Sequence, residues 1–302
     1  MFSRIIVPLD GSPVAEIALP YARGLAQGLG LPVTLLSVID LEEISRQIAT
    51  ERGLFLDTLD DFASRRRDEY LNALVKSFVG VPVTARIEHG AAAGAIVEHG
   101  AADKRALLCM ATHGRSGLQR WLLGSVAEKV LRATTNPLLL VRAAEAAPVE
   151  GVRKFDAVIV PLDGSRVAEQ VLPVVAEMAK RLDVEAILFR AYNVPYAGYY
   201  EGGGSYAVDL PKLGAAIEAE VQNYLEERSN ALANAGLTKV ARASQEGLAA
   251  DAIIHFARTK PDRLIALCSH GRSEARRWAL GGVSENVVRH ASNPVLVLRA
   301  AN

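Results

Sequence analysis

Ile5-Ile6-Val7-Pro8-Leu9-Asp10-Gly11-Ser12-Pro13 is the stretch that decides the fold. Ile5 to Leu9 is short, apolar and β-branched, which reads as a strand buried on both faces. Asp10 and Gly11 turn the chain. Ser12 is a good N-cap, and Pro13 suits the first position of a helix. Glu16 falls in the first turn, where the helix dipole favours an acid. A buried strand that turns at once into a helix opens a β-α-β unit. The same stretch returns 153 residues later as Ile159-Val160-Pro161-Leu162-Asp163-Gly164-Ser165.

A second motif recurs with it. Ala111-Thr112-His113-Gly114, nine residues, then Gly124-Ser125-Val126-Ala127 returns as Cys268-Ser269-His270-Gly271, nine residues, then Gly281-Gly282-Val283-Ser284. The offset here is 157, and Asn136-Pro137 recurs as Asn293-Pro294 at the same distance. The chain is a tandem duplication with about four extra residues in its second half, between Asp163 and Gly271. Its 302 residues fit two units of ordinary domain size. We expect a first domain over 1–143, a linker over 144–154 and a second domain over 155–302. A linker that short, rich in Ala, Pro and charge, keeps the two in touch.

Between the motifs, strand and helix patterns alternate. The first helix should run from Pro13 to about Leu29, stopped by Gly28 and Gly30. Val33 to Val38 reads as the second strand and residues 65–78 as a helix. Val81 to Ile87 follows as a strand, and Ala92 to Ala101 as a helix. Ala106 to Ala111 is the fourth strand, Ser125 to Arg132 a helix, and Leu138 to Val141 the fifth strand. The second half repeats this order. The fold class is α/β, with two tandem open-twisted, parallel, five-stranded sheets flanked by helices and right-handed crossovers, a Rossmann-like arrangement. Leu138 to Val141 and Val295 to Leu298 are apolar edge candidates, and an uncovered edge invites pairing. Residues 41–64 and Tyr192 to Tyr206, the latter with five tyrosines, diverge between the halves and read as surface loops, a lid or a partner patch.

Bulk composition excludes several classes. Lys+Arg and Asp+Glu are equal at 34 each, so the basic excess of a nucleic-acid or membrane-surface binder is missing. No apolar run approaches the roughly 20 residues of a spanning helix. Asp10 interrupts the N-terminal apolar run before it can form a signal-peptide core. The two cysteines, Cys109 and Cys268, sit in apolar runs as core residues and suit a cytoplasmic protein.

Chemistry belongs beyond the carboxyl ends of the strands, where strand order reverses. Asp10, the end of the second strand and Ala111-Thr112-His113-Gly114 all fall there. Gly124-Ser125 lies just before the last helix. Glycines admit an oxyanion to the backbone, the helix N-terminus adds about half a positive charge, and Ser125 adds a hydroxyl. Together they describe a phosphate cradle, although neither G-x-x-x-x-G-K-[ST] nor G-x-G-x-x-G is present. Each residue also has a plainer reading. Asp10 and Asp163 serve as turn residues, His113 and His270 as loop residues, and Gly124 and Gly281 as helix-packing glycines. His89 reads as surface, and Trp121 and Trp278 as packing anchors. Arg115, Arg120, Lys129 and Arg132, with Arg272, Arg276, Arg277 and Arg289, form either an anion-attracting rim or a solvated face.

These motifs resemble the universal stress protein family, and the whole chain resembles its tandem members. The nucleotide-binding branch carries G-x2-G-x9-G-(S/T). This chain has A-x2-G-x9-G-S in the first half and C-x2-G-x9-G-G in the second. The resemblance implies an ATP, AMP or ADP site, with Mg²⁺ carried by the nucleotide. Pro8 and Asp10 would border the ribose or the metal-phosphate group, with Asp10 the one candidate metal ligand. Val38 would pair its backbone with adenine. Met110 and Ala111 would line the nucleotide. His113, Gly114, Gly124, Ser125, Val126 and Ala127 would surround the phosphates. The matching second-half positions are Asp163, Ala191, Leu267, Cys268, His270, Gly271, Gly281, Gly282, Val283 and Ser284. If the missing first glycine needs a positive φ, Ala111 and Cys268 each cost about 1 kcal/mol. The resemblance also implies pairing of the two domains through their fifth strands, with a further homodimer or protein partner open.

Three functions compete at this stage. One is a nucleotide-binding regulatory protein of the stress response, without catalysis. The second is a nucleotide-independent interaction scaffold of the same fold. The third is an ATPase or adenylyl transferase, for which no repeated base stands beside a nucleophile and slow hydrolysis is the most to expect.

Overall fold

The computed structural model describes residues 1–40, 56–112, 123–142, 151–194, 210–269 and 281–300. In the first half the elements are β1 (Ile5–Pro8), α1 (Pro13–Glu16), α2 (Leu19–Leu29), β2 (Val33–Ile39), α3 (Leu56–Val75), β3 (Val83–His89), α4 (Ala92–Ala101), β4 (Leu107–Ala111), α5 (Ser125–Ala133) and β5 (Leu138–Val141). The second half repeats them as β6 (Ala157–Pro161), α6 (Arg166–Glu169), α7 (Leu172–Leu182), β7 (Glu185–Tyr192), α8 (Leu210–Asn234), β8 (Val240–Glu246), α9 (Ala249–Arg258), β9 (Arg263–Cys268), α10 (Gly282–His290) and β10 (Val295–Leu298). The expected α/β order holds in both halves.

The expected single helix from Pro13 to Leu29 is two helices. Pro20 has no N–H for the Glu16 carbonyl, and its ring would collide with that oxygen. The chain makes looser turns at Ile17 and Ala18, then restarts at Leu19. Leu172-Pro173 produces the same break between α6 and α7. The crossover helix α3 begins at Leu56, earlier than the expected residue 65.

Within each half all strands are parallel, and the sheet order is β3-β2-β1-β4-β5, mirrored by β8-β7-β6-β9-β10. The halves join edge to edge into one ten-stranded sheet, where β5 and β10 run antiparallel with Leu139 opposite Leu296. The two apolar edges thus cover each other. The outer edges, β3 and β8, carry Arg86, Glu88 and Arg242, Glu246, charges that discourage further pairing. The offset between the halves changes from 153 to 157 in the crossover between β7 and β8, which locates the four extra residues.

Strand alternation sorts the buried side chains onto two faces. Val7, Cys109, Leu139, Val160, Ala266 and Leu296 belong to one core, with α2, α7 and α8 against it. Ile6, Leu108, Leu138, Ile159, Ile265 and Val295 belong to the other, beneath α4, α5, α9 and α10. Each core contains residues of both halves.

Polar contacts cross the join reciprocally. Arg299 donates to the Leu131 and Thr134 carbonyls at the end of α5, the Thr134 bond being 2.9 Å. Arg142, its equivalent, donates to the Arg289 carbonyl in the last turn of α10. Each helix C-terminus is therefore capped by a cation from the other half. Arg289 also reaches Glu128 at 3.3 Å. Further along, the chain at Arg153 runs over α2, where the Arg153 N–H donates to the Pro20 carbonyl at 2.9 Å. A Cβ at Gly24 would stand 1.9 Å from the Arg153 oxygen, so only glycine fits this crossing.

The recurring Asn-Pro pair is structural. The buried Asn136 amide donates to the Asp103 and Ala106 carbonyls, at 2.8 and 3.1 Å. Asn293 does the same with Lys260 and Arg263, at 2.9 and 3.2 Å. Each asparagine ties the turn before the fourth strand of its half to the start of the fifth.

Candidate functional site

Strand order reverses between β2 and β4 around β1, and between β7 and β9 around β6. A crevice is expected at such a point, beyond the carboxyl ends of the strands. Three segments meet there in each half: the turn after the first strand, the end of the fourth strand, and the start of the last helix.

The turn is built on the same Asp-to-Ser backbone bond and serine cap in both halves. Asp10 Oδ1 accepts from the Ser12 N–H at 2.9 Å and the Ser12 hydroxyl at 2.6 Å. Ser12 Oγ in turn caps the Ala15 N–H at 3.2 Å. Asp163 accepts from the Ser165 N–H at 2.9 Å, and Ser165 Oγ caps Ala168 at 3.1 Å. Gly11 and Gly164 take positive φ, +77° and +82°, which a side chain would strain. The turn reading of the two aspartates is therefore correct. It also holds each carboxylate in place at the strand end.

The fourth strands end at Ala111 and Cys268, both buried. Neither has positive φ, since among the described residues Asp183 alone of the non-glycines does. Alanine and cysteine thus fit this position without the strain that a required glycine would imply. Burial pushes the Cys268 thiol up to about 11 and the Cys109 thiol up to about 12. Both stay protonated at neutral pH, and neither is an activated nucleophile.

Beyond the strands, the Gly124 N–H donates to the Thr112 carbonyl at 2.7 Å, and the Gly281 N–H to Ser269 at 3.0 Å. These bonds close the loops that contain His113, Gly114, His270 and Gly271, which lie outside the described residues, as do Trp121, Trp278 and the loop arginines. The glycine N–H groups are used in loop closure. The donors left at the helix start belong to Ser125, Val126 and Ala127, and to Gly282, Val283 and Ser284. Gly124 and Gly281 are the N-caps and carry no side-chain oxygen to satisfy them. Arg132 and Arg289 sit in the last turns of α5 and α10, paired with Glu128 and Glu285, at the opposite end from these donors. They do not form the expected rim at the helix start.

In the second half these segments enclose an open cavity of about 300 Å³. Asp163, Ala191, Leu267, Cys268, Gly281, Gly282, Val283 and Ser284, all singled out from sequence, line it. The sequence reading missed Leu162, Ala168, Phe189, Ala249 and Ile253, and named Pro8 but not its counterpart Pro161. A signal existed, since Leu162, Ala168, Ala249 and Ile253 repeat Leu9, Ala15, Ala92 and Ile96 at the common offsets. The first-half counterparts stand at the same strand and helix ends. Pro8 closes β1, Val38 lies near the end of β2, Met110 and Ala111 close β4, and Ser125, Val126 and Ala127 open α5.

The wall combines apolar side chains, Phe189, Ala191, Ala249, Ile253 and Leu267, with the Asp163 carboxylate and the α10 N-terminus. Phe189 is held by Phe256, ring centroids 4.9 Å apart. Such a cavity suits a molecule with a flat apolar end and an anionic end.

Residues 1–142 and 154–299 each match the universal stress protein family. The chain belongs to this family. Universal stress protein Rv2623 of Mycobacterium tuberculosis is 25% identical over 302 residues, covering 98% of this chain and 96% of its own. Universal stress protein MJ0531 of Methanocaldococcus jannaschii is 29% identical over 144 residues, covering 47% of this chain and 83% of its own. The crystal structure of a universal stress protein from Archaeoglobus fulgidus superposes with a TM-score of 0.72 at 20% identity, covering 99% of this chain and 98% of that one. This universal stress protein is thus a tandem member with the family's Rossmann-like fold. Among the described residues no helix is long and apolar enough to cross a membrane.

Proposed function

We propose that this universal stress protein binds adenine nucleotide, with ATP and its Mg²⁺ as the ligand of the first half, and acts as a regulator of the stress response without catalysis. The observation that carries this reading is the second-half cavity at the strand-order reversal, where apolar side chains and a helix N-terminus without a side-chain cap line one space, with its wall positions repeated in the first half at the common offsets. The apolar side chains suit a base, and the first-turn N–H groups suit phosphate. In the first half Asp10 would face the ribose or the metal, and Ser125, Val126 and Ala127 would hold phosphate. Among the described residues no three His, Cys, Asp or Glu side chains cluster as a metal site. In this reading Mg²⁺ arrives on the phosphates, with Asp10 as one ligand. Bound nucleotide supplies the charge and contacts that shift conformation or partner affinity. The two domains, 1–143 and 155–302 across the 144–154 linker, work in the cytoplasm.

A nucleotide-independent scaffold is the second reading. The exposed apolar Leu248 and Val283, next to or within the cavity wall, favour it. Thermal melting separates the two. Mg·ATP at about 1,000 times its Kd should stabilise the protein by about 4 kcal/mol. An unmoved melting curve with ATP, ADP and AMP would leave the scaffold standing.

A further inference from the structure

The short helices α1 and α6 stand apart from the helices that follow them. Each has four residues, begins at an Asp-Gly-Ser turn, and ends before Pro20 or Pro173 breaks the backbone ladder. After α1 the Ile17 and Ala18 N–H groups reach back only to carbonyls three residues before, at 3.4 Å. A helix of one turn does not persist on its own bonds. Contacts from outside must hold α1 and α6, and each short helix carries a turn aspartate with it.

One such contact occurs twice. The Tyr70 hydroxyl, on the crossover helix α3, donates to Glu16 Oε1 at 2.9 Å. The Tyr224 hydroxyl, on α8, donates to Glu169 Oε1 at 2.8 Å. Glu16 and Glu169 are the last residues of α1 and α6. The bonds span 54 and 55 residues, across segments whose sequences diverge between the halves. The tie recurs although the chain between its ends does not. Burial and the adjacent carboxylate raise both phenols above their ordinary range, and the Asp10 charge adds to the effect on Tyr70. Each hydroxyl therefore keeps its proton, and each bond its donor, at neutral pH.

The two ties differ in strength. Arg228 Nη1 lies 3.3 Å from Glu169 Oε2, so both oxygens of the second carboxylate are held. The Arg228 and Arg190 guanidinium groups stand 5.9 and 4.8 Å from the centre of the Tyr224 ring. The first half has Leu74 and Ser37 at these positions. Leucine offers no donor, and the buried Ser37 hydroxyl donates to the Leu9 carbonyl at 2.9 Å. The cation near Tyr70 is Arg67, whose counterpart is Val221.

We propose that Tyr70 and Tyr224 latch the crossover helices to the Asp10 and Asp163 turns, so that α3 and α8 set the positions of those turns, the first latch being the one that releases. Both tyrosines are positioning residues and act through Glu16 and Glu169. A contact that lifts α3 is then felt at Asp10, while the second half keeps its geometry. The latch needs no assumption about what the site binds.

Native-state amide exchange on the full chain at pH 7 tests it. In the wild type α1 and α3 should exchange faster than α6 and α8. Tyr70→Phe should speed α3 and α1 together by about tenfold or more, the size of one hydrogen bond to a charged group, and leave α6 and α8 unchanged. Tyr224→Phe should speed α6 by clearly less, because Arg228 still holds Glu169. Adding Arg228→Leu, the residue type of the first half, should bring α6 to the exchange seen in α1. Glu16→Gln keeps an acceptor for Tyr70 and should retain most of the protection that Glu16→Ala loses, which repeats the test if Tyr70→Phe does not fold. Faster exchange in α3 with α1 still protected would overturn the coupling, as would equal losses in Glu16→Gln and Glu16→Ala. A uniform rise in all four helices would reduce the tie to general stability and overturn it too. Equal effects of Tyr70→Phe on α1 and of Tyr224→Phe on α6 would overturn the difference between the latches.

Discussion

At the join between β5 and β10 the two halves repeat the same contacts with aliphatic side chains, and at six of their fourteen cavity positions they differ in residue type. Leu139 faces Leu296, Arg299 caps α5 as Arg142 caps α10, and both cores run through both halves. At the cavity positions Ser125 corresponds to Gly282, and Ala127 to Ser284. At the join Leu138, Leu140 and Val141 correspond to Val295, Val297 and Leu298, exchanges that keep every side chain aliphatic and buried. At the strand ends the exchanges change chemistry, as where Ser125 corresponds to Gly282. The comparison teaches that the duplication joined the halves through one continuous sheet while their strand ends differ in chemistry.

The largest test strikes the matched part. Leu139→Ala and Leu296→Ala should each cost about 2–5 kcal/mol in urea unfolding, the usual range for a buried leucine. Both should lose stability in a single transition with similar midpoints. Two transitions, or a cost confined to one variant, would break the claim of a shared core.

The next strikes the diverged part. If Ser125 bonds a phosphate, Ser125→Ala should weaken Mg·ATP by about 1.5–3 kcal/mol. Ser284→Ala should leave tight ATP binding as it was. Equal losses in the two variants would make the sites alike.

Legibility from sequence followed the same division. The repeat, the strand order and α4 were readable because period and punctuation mark them, and Ala92 to Ala101 agrees with the observed helix. The break at Pro20 was missed because Ser12-Pro13 gave so clear a start that Pro20 was absorbed into one helix. The early start of α3 was hidden by its charge and by Phe62, which is exposed on the helix rather than buried. Most of the polar cavity wall was legible through Asp163 and Gly281, which carry recognisable chemistry. Phe189, Ala168 and Ala249 were not, since small or apolar residues define a cavity only when the fold places them around a space. The commitment of the Ser284 proton to Cys268, and of the glycine N–H groups to loop closure, needed coordinates.

A smaller effect concerns the crossed arginine caps. Arg299→Met leaves the Leu131 and Thr134 carbonyls without their donor and should cost about 1–3 kcal/mol. Arg142→Met removes one such contact and should cost less. The reverse order would show that the number of capped carbonyls does not set the cost.

The smallest separates the two thiols. Cys268 lies in the cavity wall and Cys109 beneath α1 and α2, with its Sγ 3.8 Å from the Ala18 oxygen. At pH 8 both should resist maleimide, Cys109 the longer. The Cys268 thiol is raised from about 9 to about 11, so its neutral form is the one the fold favours. Its contribution to stability is complete below pH 9 and is lost as pH rises through 11. Cys268→Ala should flatten that alkaline loss in melting curves.

Calorimetric titration of the nucleotide-free chain with Mg·ATP tests the central claim most directly. The account predicts about one tight site per chain, weakened about tenfold or more in the Ser125→Ala variant and retained in the Ala191→Leu variant. Absence of heat, or two equal ATP sites untouched by Ser125→Ala, would contradict it.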